Sequence, residues 1–273
     1  MENYWVKKEG KMEFIKTLFK NRKMVMKLGK NDFRNRFANT SLGTIWGFAQ
    51  PFVFMLTYVI VFQYILETGS SGNYPYVVWF LPGMSMWMFC SDAILTASNS
   101  IRNYSYLVKK VVFPVDIIPI ISLASSSFIG IFLICIAIVV ASIWGYIPNF
   151  LNVIYIVFCA FAFIIALTRF TSALTTVVPD FAQLLNILMQ LFMWFTPIIW
   201  NLDMLSEFWV KIFKAFPFTY LVEGFRQAFM ADSTIITDTN GLYTIIFWIV
   251  TLVMFVWGNA VFKKTKKDFA DVL

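Results

Sequence analysis

The chain has no histidine, and this removes the commonest general base, proton shuttle and metal ligand together. Charge is scarce too: 14% of residues are Asp, Glu, Lys or Arg, against about 25% in an ordinary soluble domain. The three cysteines, Cys90, Cys135 and Cys159, lie inside apolar stretches without metal-ligand spacing, so they read as small core residues. No G-x-x-x-x-G-K-[ST] phosphate loop is present, which rules out ATP hydrolysis by that route. A D-x-D pair, a G-x-S-x-G elbow and a Cys/His pair are missing as well. Enzyme functions therefore start at a disadvantage, and neither a metal site nor a cofactor of the chain's own is expected.

What the chain has in abundance is apolar surface: 59% of its 273 residues are hydrophobic and its mean hydropathy is +0.72. Windows of about 20 apolar residues place spans near Trp46–Leu66, Val77–Ile101, Ile117–Trp144, Phe150–Val177, Phe181–Ile199 and Leu242–Phe262. Turn chemistry separates them at Thr68–Asn73, Pro114, Gly145–Asn149 and Pro179-Asp180. The expected fold is an all-α integral membrane protein of six transmembrane helices. Residues 1–45 form a cytosolic amphipathic region, 46–262 the membrane domain and 263–273 a cytosolic basic tail. No apolar run leads to a small-residue cleavage site near the start, so the first span is expected to insert uncleaved.

The formal charge of +7 invites a nucleic-acid partner, but the distribution of the basic residues argues against one. Eleven Lys/Arg lie between Lys7 and Arg36, and Lys263, Lys264, Lys266 and Lys267 follow the last span. With Arg102, Lys109 and Lys110, eighteen of the 22 basic residues fall on one side of a six-span arrangement. Lys211, Lys214 and Arg226 face six acidic residues on the other, so the positive-inside rule sets both termini in the cytosol of a multi-pass cytoplasmic membrane protein.

Two segments are amphipathic without spanning. Met12 to Lys30 interleaves Phe14, Ile15, Leu18, Phe19, Val25 and Met26 with basic residues, as in a helix lying on the inner leaflet; a solvated basic tail is the plainer alternative. The segment 201–240 is long for a connection and rich in Phe, so it is expected to re-enter the outer face as short helices broken at Pro217.

Polar residues inside the spans are the candidates for function. Asp92 in mid-span needs a partner or water, because an ionised side chain there costs about 3 kcal/mol on insertion scales. Ser85, Asp92, Thr96 and Asn99 share one helical face, as do Gln183, Asn186 and Gln190. These stripes either pack helices together or face a translocation route, where amides and hydroxyls exchange hydrogen bonds with a polyol. Trp46, Tyr58, Tyr64, Trp79, Trp87 and Trp194 are candidates for an aromatic slide, with interfacial anchoring as the alternative.

Several stretches carry a resemblance. Asn31 to Pro51, with its basic, Ser-Leu-Gly, Trp and Pro positions, resembles the entry to the first span in membrane subunits of bacterial polysaccharide ABC exporters, the type-2 ABC transporter permeases. Leu107 to Pro119 is similar to their cytosolic connection after the second span. Pro179-Asp-Phe-Ala-Gln183, Phe195 to Trp200 and Pro217 to Gln227 resemble their fifth span and external gate. Lys267-Asp-Phe-Ala-Asp-Val-Leu273 is similar to the ending of the teichoic acid translocation permeases of Gram-positive bacteria. Pro179 departs from the family, whose members more often carry Arg before the Asp.

The resemblance implies a homodimer with the pore between two copies, driven by two copies of a separate nucleotide-binding subunit that holds ATP and Mg. It implies that the amphipathic N-terminal helix, Arg102, Lys109, Lys110, Pro114 and Asp116 couple to that ATPase, and that Pro217, Tyr220, Glu223 and Arg226 belong to the external gate. Solvated loop charge is the plainer account of the last two. The expected cargo is a lipid-linked teichoic acid polymer, with O-antigen or capsular polysaccharide as the alternative. A transferase acting on polyprenyl-linked glycans, using Asp92 or Asp116, and a non-catalytic scaffold are the competing classes.

Overall fold

The structure is a computed structural model that describes residues 17–18, 20–66, 70–71, 74–110, 113–230 and 241–273. The start of the expected N-terminal helix, most of the Thr68–Asn73 turn and residues 231–240 of the gate segment lie outside the described residues. The chain is built from helices α1 (Arg22–Arg36), α2 (Trp46–Val59), α3 (Tyr76–Asn103), α4 (Ser105–Lys110), α5 (Ile118–Ile143) and α6 (Phe150–Val177), followed by α7 (Asp180–Phe195), α8 (Glu207–Lys214), α9 (Pro217–Gln227), α10 (Leu242–Thr265) and α11 (Phe269–Val272). One two-residue antiparallel pair, Ser70–Ser71 with Tyr74–Pro75, precedes α3.

Among the described residues, five helical stretches are long and apolar enough to cross a membrane: Gly43–Ile65, Tyr76–Asn103, Val115–Ile143, Phe150–Val177 and Leu242–Thr265. Each agrees to within a few residues with an expected span. The remaining expected span, Phe181–Ile199, is shorter than its apolar run: α7 has 16 residues, about 24 Å at 1.5 Å per residue. Pro197 is the reason. A residue before proline is pushed out of the helical region, and Thr196 sits at φ −87°, ψ 132°. The chain then runs irregularly to Asn201 before a turn at Leu202–Met204.

Helix α3 is the axis of the bundle. In its most apolar window 83% of residues are buried, against 17% in the first span. Small residues let neighbours approach it closely: the Phe89 ring lies where a side chain on Gly130 of α5 would be, 2.3 Å from a Cβ built there. Helices α5, α6, α7 and α9 pack around α3, and α10 packs on the outside of α6. The break between α5 and α6 is closed by Gly145 at φ +85°, a left-handed conformation that favours glycine, and by the Asn149 side chain, which accepts from the amides of Leu151 and Asn152.

Helix α1 continues past the expected end at Lys30 to Arg36 and buries the stripe Val25, Gly29 and Phe33; of the expected apolar positions Val25 is buried, whereas Met26 is 60% exposed. Val25 joins Ile117, Ile120 and Ile121 at the start of the third span, while Arg22, Lys23, Lys27, Lys30 and Arg34 stay exposed. Pro217 does break the segment that follows α7. It begins α9, whose Phe218, Leu221, Val222 and Phe225 are buried, whereas α8 exposes Phe208, Trp209 and Ile212. The N-terminal helix, the 104–117 connection and the C-terminal residues share one end of the bundle; α8 and α9 occupy the other.

Gly258 marks the tightest approach of α10 to α6: a Cβ there would lie 3.0 Å from the Ala166 carbonyl oxygen and 3.2 Å from the Phe170 amide nitrogen. Backbone cannot rotate away as a side chain can. Gly258→Leu should force the helices apart and cost about 1–3 kcal/mol. The check is the thermal midpoint in detergent, and an unchanged midpoint would show that the crossing bears no such load.

Candidate functional site

Three arginines organise the polar interior, each reaching across several elements. Arg226 on α9 has a side chain only 1% exposed. Its Nε donates to the Trp79 carbonyl at 2.8 Å, and Nη2 donates to the carbonyls of Pro197 at 3.0 Å and Ile198 at 3.2 Å. Nη1 pairs with the Glu223 carboxylate, and the guanidinium carbon lies 3.7 Å from the Trp79 ring centroid. Unwound backbone at membrane depth is tolerated only when buried and satisfied, and Arg226 answers the carbonyls exposed where α7 stops. Gly83 on α3 makes room, since a Cβ there would meet Nη2 at 2.8 Å.

Arg169 on α6, also 1% exposed, donates from Nη2 to the Asp116 carboxylate at 3.1 Å and from Nη1 to its carbonyl at 3.4 Å. Its guanidinium carbon lies 4.5 Å from the Phe262 ring centroid. Lys266, just beyond α10, pairs with the other oxygen of the same carboxylate. The start of the Val115–Ile143 stretch, helix α6 and the end of α10 thus meet at one carboxylate.

Arg36, the last residue of α1, donates from Nη1 to Asp92 at 3.3 Å and from Nη2 to the Ser122 carbonyl at 3.2 Å and Ser126 Oγ at 3.1 Å. Its Nε pairs with Asp32 at 3.3 Å, and the Tyr104 hydroxyl donates to Asp32 at 2.6 Å. Burial, reinforced by that hydrogen bond, pushes the Tyr104 phenol far above its ordinary range, so it remains a donor at any physiological pH. Asp92 also borders a cavity of about 350 Å³ with Phe37, Gln50, Pro51, Phe54 and Met88.

The expected pathway residues divide into two groups. On α3, Ser85 donates to the Leu133 carbonyl, Asn99 to the Leu95 carbonyl, and Asp92 to no one but holds Arg36 as its cation; Thr96 is half-buried. Trp87 is enclosed beside Phe218, Trp79 lies under Arg226, and Tyr58 stacks with Phe62 and Phe80. Ser85, Asp92, Asn99 and those rings thus make contacts within one copy of the chain, and Asp92 also faces the cavity. On α7 the arrangement is the reverse. Gln183 and Gln190 are exposed, Asn186 is half-buried and donates to the Ala182 carbonyl, and Trp194 is 65% exposed on the same face. Trp46 and Tyr64 of the first span are exposed as well.

Among the expected coupling residues, Arg102 and Lys109 are exposed, Pro114 is half-buried, and the side chain of Lys110 lies outside the described residues. Asp116 does not face outward, being taken up by Arg169 and Lys266. In the segment after α7 the alternative of solvated charge does not hold for Arg226, which is buried in a clamp, while the Glu223 side chain is 21% exposed. Tyr220 shares hydrogen bonds of 3.2 Å with the hydroxyls of Tyr155 and Thr244, and Trp248 donates to Tyr155.

Neither Arg169 nor Arg36 is among the candidate residues that the sequence singles out. A lone arginine in the apolar run Phe150–Val177 is itself a signal that a partner exists. Arg36 had no such mark among eleven N-terminal basic residues; only the need of Asp92 for a cation pointed toward it.

These long apolar helices, with charges paired inside and a short clamped segment at one end, define a polytopic α-helical membrane protein. The chain belongs to the ABC-2 type transporter family, whose model matches residues 25–230. It is 24% identical over 254 residues to an O-antigen export system permease protein of Klebsiella pneumoniae, covering 92% of this chain and 95% of the relative. A similar permease of Myxococcus xanthus is 20% identical over 264 residues, covering 95% and 99%. As a member of this family the chain is a transport subunit.

Replacing Arg226 by Met should leave Glu223 and three carbonyls without their donor and cost about 3–5 kcal/mol, the usual penalty for breaking a buried pair. Arg226→Lys should recover little, since one ammonium cannot span the fork from Trp79 to Ile198. Thermal unfolding in detergent measures both; a lysine variant as stable as the parent would contradict the clamp.

Proposed function

We propose that this chain is the permease half of an ATP-driven polysaccharide exporter whose cargo is a lipid-linked polymer of the O-antigen class. The observation that carries the proposal is the near full-length likeness to O-antigen export permeases, at least 92% of this chain and 95% of each relative. The curated relatives favour this cargo over the teichoic acid expected from the sequence, for which the Lys267–Leu273 ending is the supporting feature.

The outward face of α7 supports a passage formed between two copies. Exposed amides at Gln183 and Gln190 lie on the helix that also exposes Leu184, Ile187, Leu191 and Trp194. An amide facing lipid with no hydrogen-bond partner is costly, so this face suits water, a second copy or a hydroxyl-rich cargo. Two permeases and two ATP-binding subunits holding ATP and Mg make the working unit, with both termini in the cytosol by the positive-inside rule. Nucleotide-driven closure reaches the permeases through α1 and the exposed Arg102, Tyr106 and Lys109 around α4.

The test is complementation. Expressed with its ATPase subunit in cells lacking their own O-antigen export permease, the chain should restore surface polysaccharide. Failure there, with rescue of a strain depleted of teichoic acid export, would reassign the cargo. The double variant Gln183→Leu/Gln190→Leu should reduce export about tenfold, the effect of one hydrogen bond lost in the limiting step, while the complex still assembles. Undiminished export would remove the α7 face from the pathway.

A further inference from the structure

After the last span Lys267 and Asp268 are exposed, but Lys266 and Phe269 turn back onto the bundle. Lys266 pairs with Asp116 as soon as α10 ends, and three residues later Phe269 is only 1% exposed. The Phe269 ring meets Phe262 edge-on at 5.6 Å and lies in one apolar cluster with Ile101, Val115, Ile118 and Ala173. Tyr104, Val108, Phe113 and Leu273 close its rim. The C-terminal residues thus fill the space between the ends of α3 and α6 and form the floor under α4.

Helix α4 has six residues, too few to hold itself in place without packing partners. Its orientation depends on what lies beneath it, which is Val108 on the Phe269 cluster and α11 alongside. Its opposite side projects Tyr106, 56% exposed, and Lys109. Asp116 lies a few residues further along the same connection, held by two cations of unlike accessibility. Arg169 is 1% exposed, whereas the Lys266 side chain is 29% exposed. Arg169 keeps the carboxylate paired when Lys266 leaves, so the lysine arm can detach without stranding a buried charge.

We infer that Lys266 and Phe269 are positioning residues for coupling: they fasten α4 to the third, fourth and sixth spans so that a push on Tyr106 and Lys109 moves the spans rather than α4 alone. The inference rests on α4 being the contact for the ATPase. Loss of Lys266 removes a partly exposed ion pair, which adds little to stability, so its effect falls on transmission instead of folding.

The experiment uses the permease with its ATPase subunit in everted membrane vesicles supplied with lipid-linked O-antigen, and reads polymer exported per ATP hydrolysed. Lys266→Met and Phe269→Ala should leave the assembled complex and its ATP hydrolysis in place and lower export per ATP by about fivefold or more, the range of a typical coupling energy. Lys266→Arg should restore the parent ratio. The pair Tyr106→Ala/Lys109→Glu on α4 is the control for the underlying contact. Parent-like export per ATP in both Lys266→Met and Phe269→Ala, with the α4 pair uncoupled, overturns the inference and leaves the contact standing. A parent-like α4 pair overturns the contact itself. If Phe269→Ala fails to assemble, the Met and Arg variants at Lys266 decide: a defect that arginine does not restore overturns the ion-pair role.

Discussion

A buried guanidinium must have its donors answered, and around Arg226 the structure meets that demand by drawing three elements together. The Trp79 carbonyl belongs to α3, the Pro197 and Ile198 carbonyls to the irregular stretch after α7, and Glu223 to the same helix as the arginine. Each acceptor solves a problem of its own: the unwound backbone beyond Thr196 would otherwise leave carbonyls buried and unpaired. The short α7, the turn that follows it and the seating of α9 against α3 are therefore one arrangement. Gly83 belongs to it as well, because any side chain there would occupy the position of Nη2.

The same logic recurs at the end that holds the termini, with different consequences. Arg36 ties the N-terminal helix to α3 and α5, and Arg169 ties α6 to the start of the third span. Both pairs cross between segments far apart in sequence, so they bind the connections between spans to the bundle. Small residues complement the ions: Gly29 brings α1 onto α5 so closely that a Cβ would meet that of Ala124 at 2.9 Å. Close approach and charge pairing together make α1 a part of the bundle, with its basic side left exposed.

Much of this was legible in the sequence. Apolar windows located the spans because a helix in lipid must satisfy its backbone internally, which makes length and hydropathy sufficient signals. Pro217 announced the break between α8 and α9, and the isolation of Asp92 announced a partner. Pro197 carried the true end of α7 at Phe195, yet the apolar run to Ile199 outweighed it. Lys266 and Phe269 were unreadable for a different reason. A basic segment after a final span has the composition of a solvated tail, and only three-dimensional packing reveals that one of its rings fills the space beneath the 104–117 connection. Arg226 has the same ambiguity, since a Glu and an Arg three residues apart describe an exposed helix face as well as a buried clamp.

The distribution of polar groups between α3 and α7 bears on where a passage can lie. Helix α3 carries a polar stripe, but its members are spent inside the copy: Ser85 on a carbonyl of α5, Asp92 on Arg36, Asn99 on its own helix. Its rings are likewise enclosed, Trp87 by Phe218 and Trp79 by the Arg226 guanidinium. A route through the middle of one copy would have to dismantle these contacts and the clamp with them. The amides of α7 are committed to nothing comparable on their outward side, and they share it with an exposed tryptophan. Polarity that is costly toward lipid and unneeded for internal packing suits a neighbour or cargo, and the proposed passage between copies would supply both along the face that each leaves open.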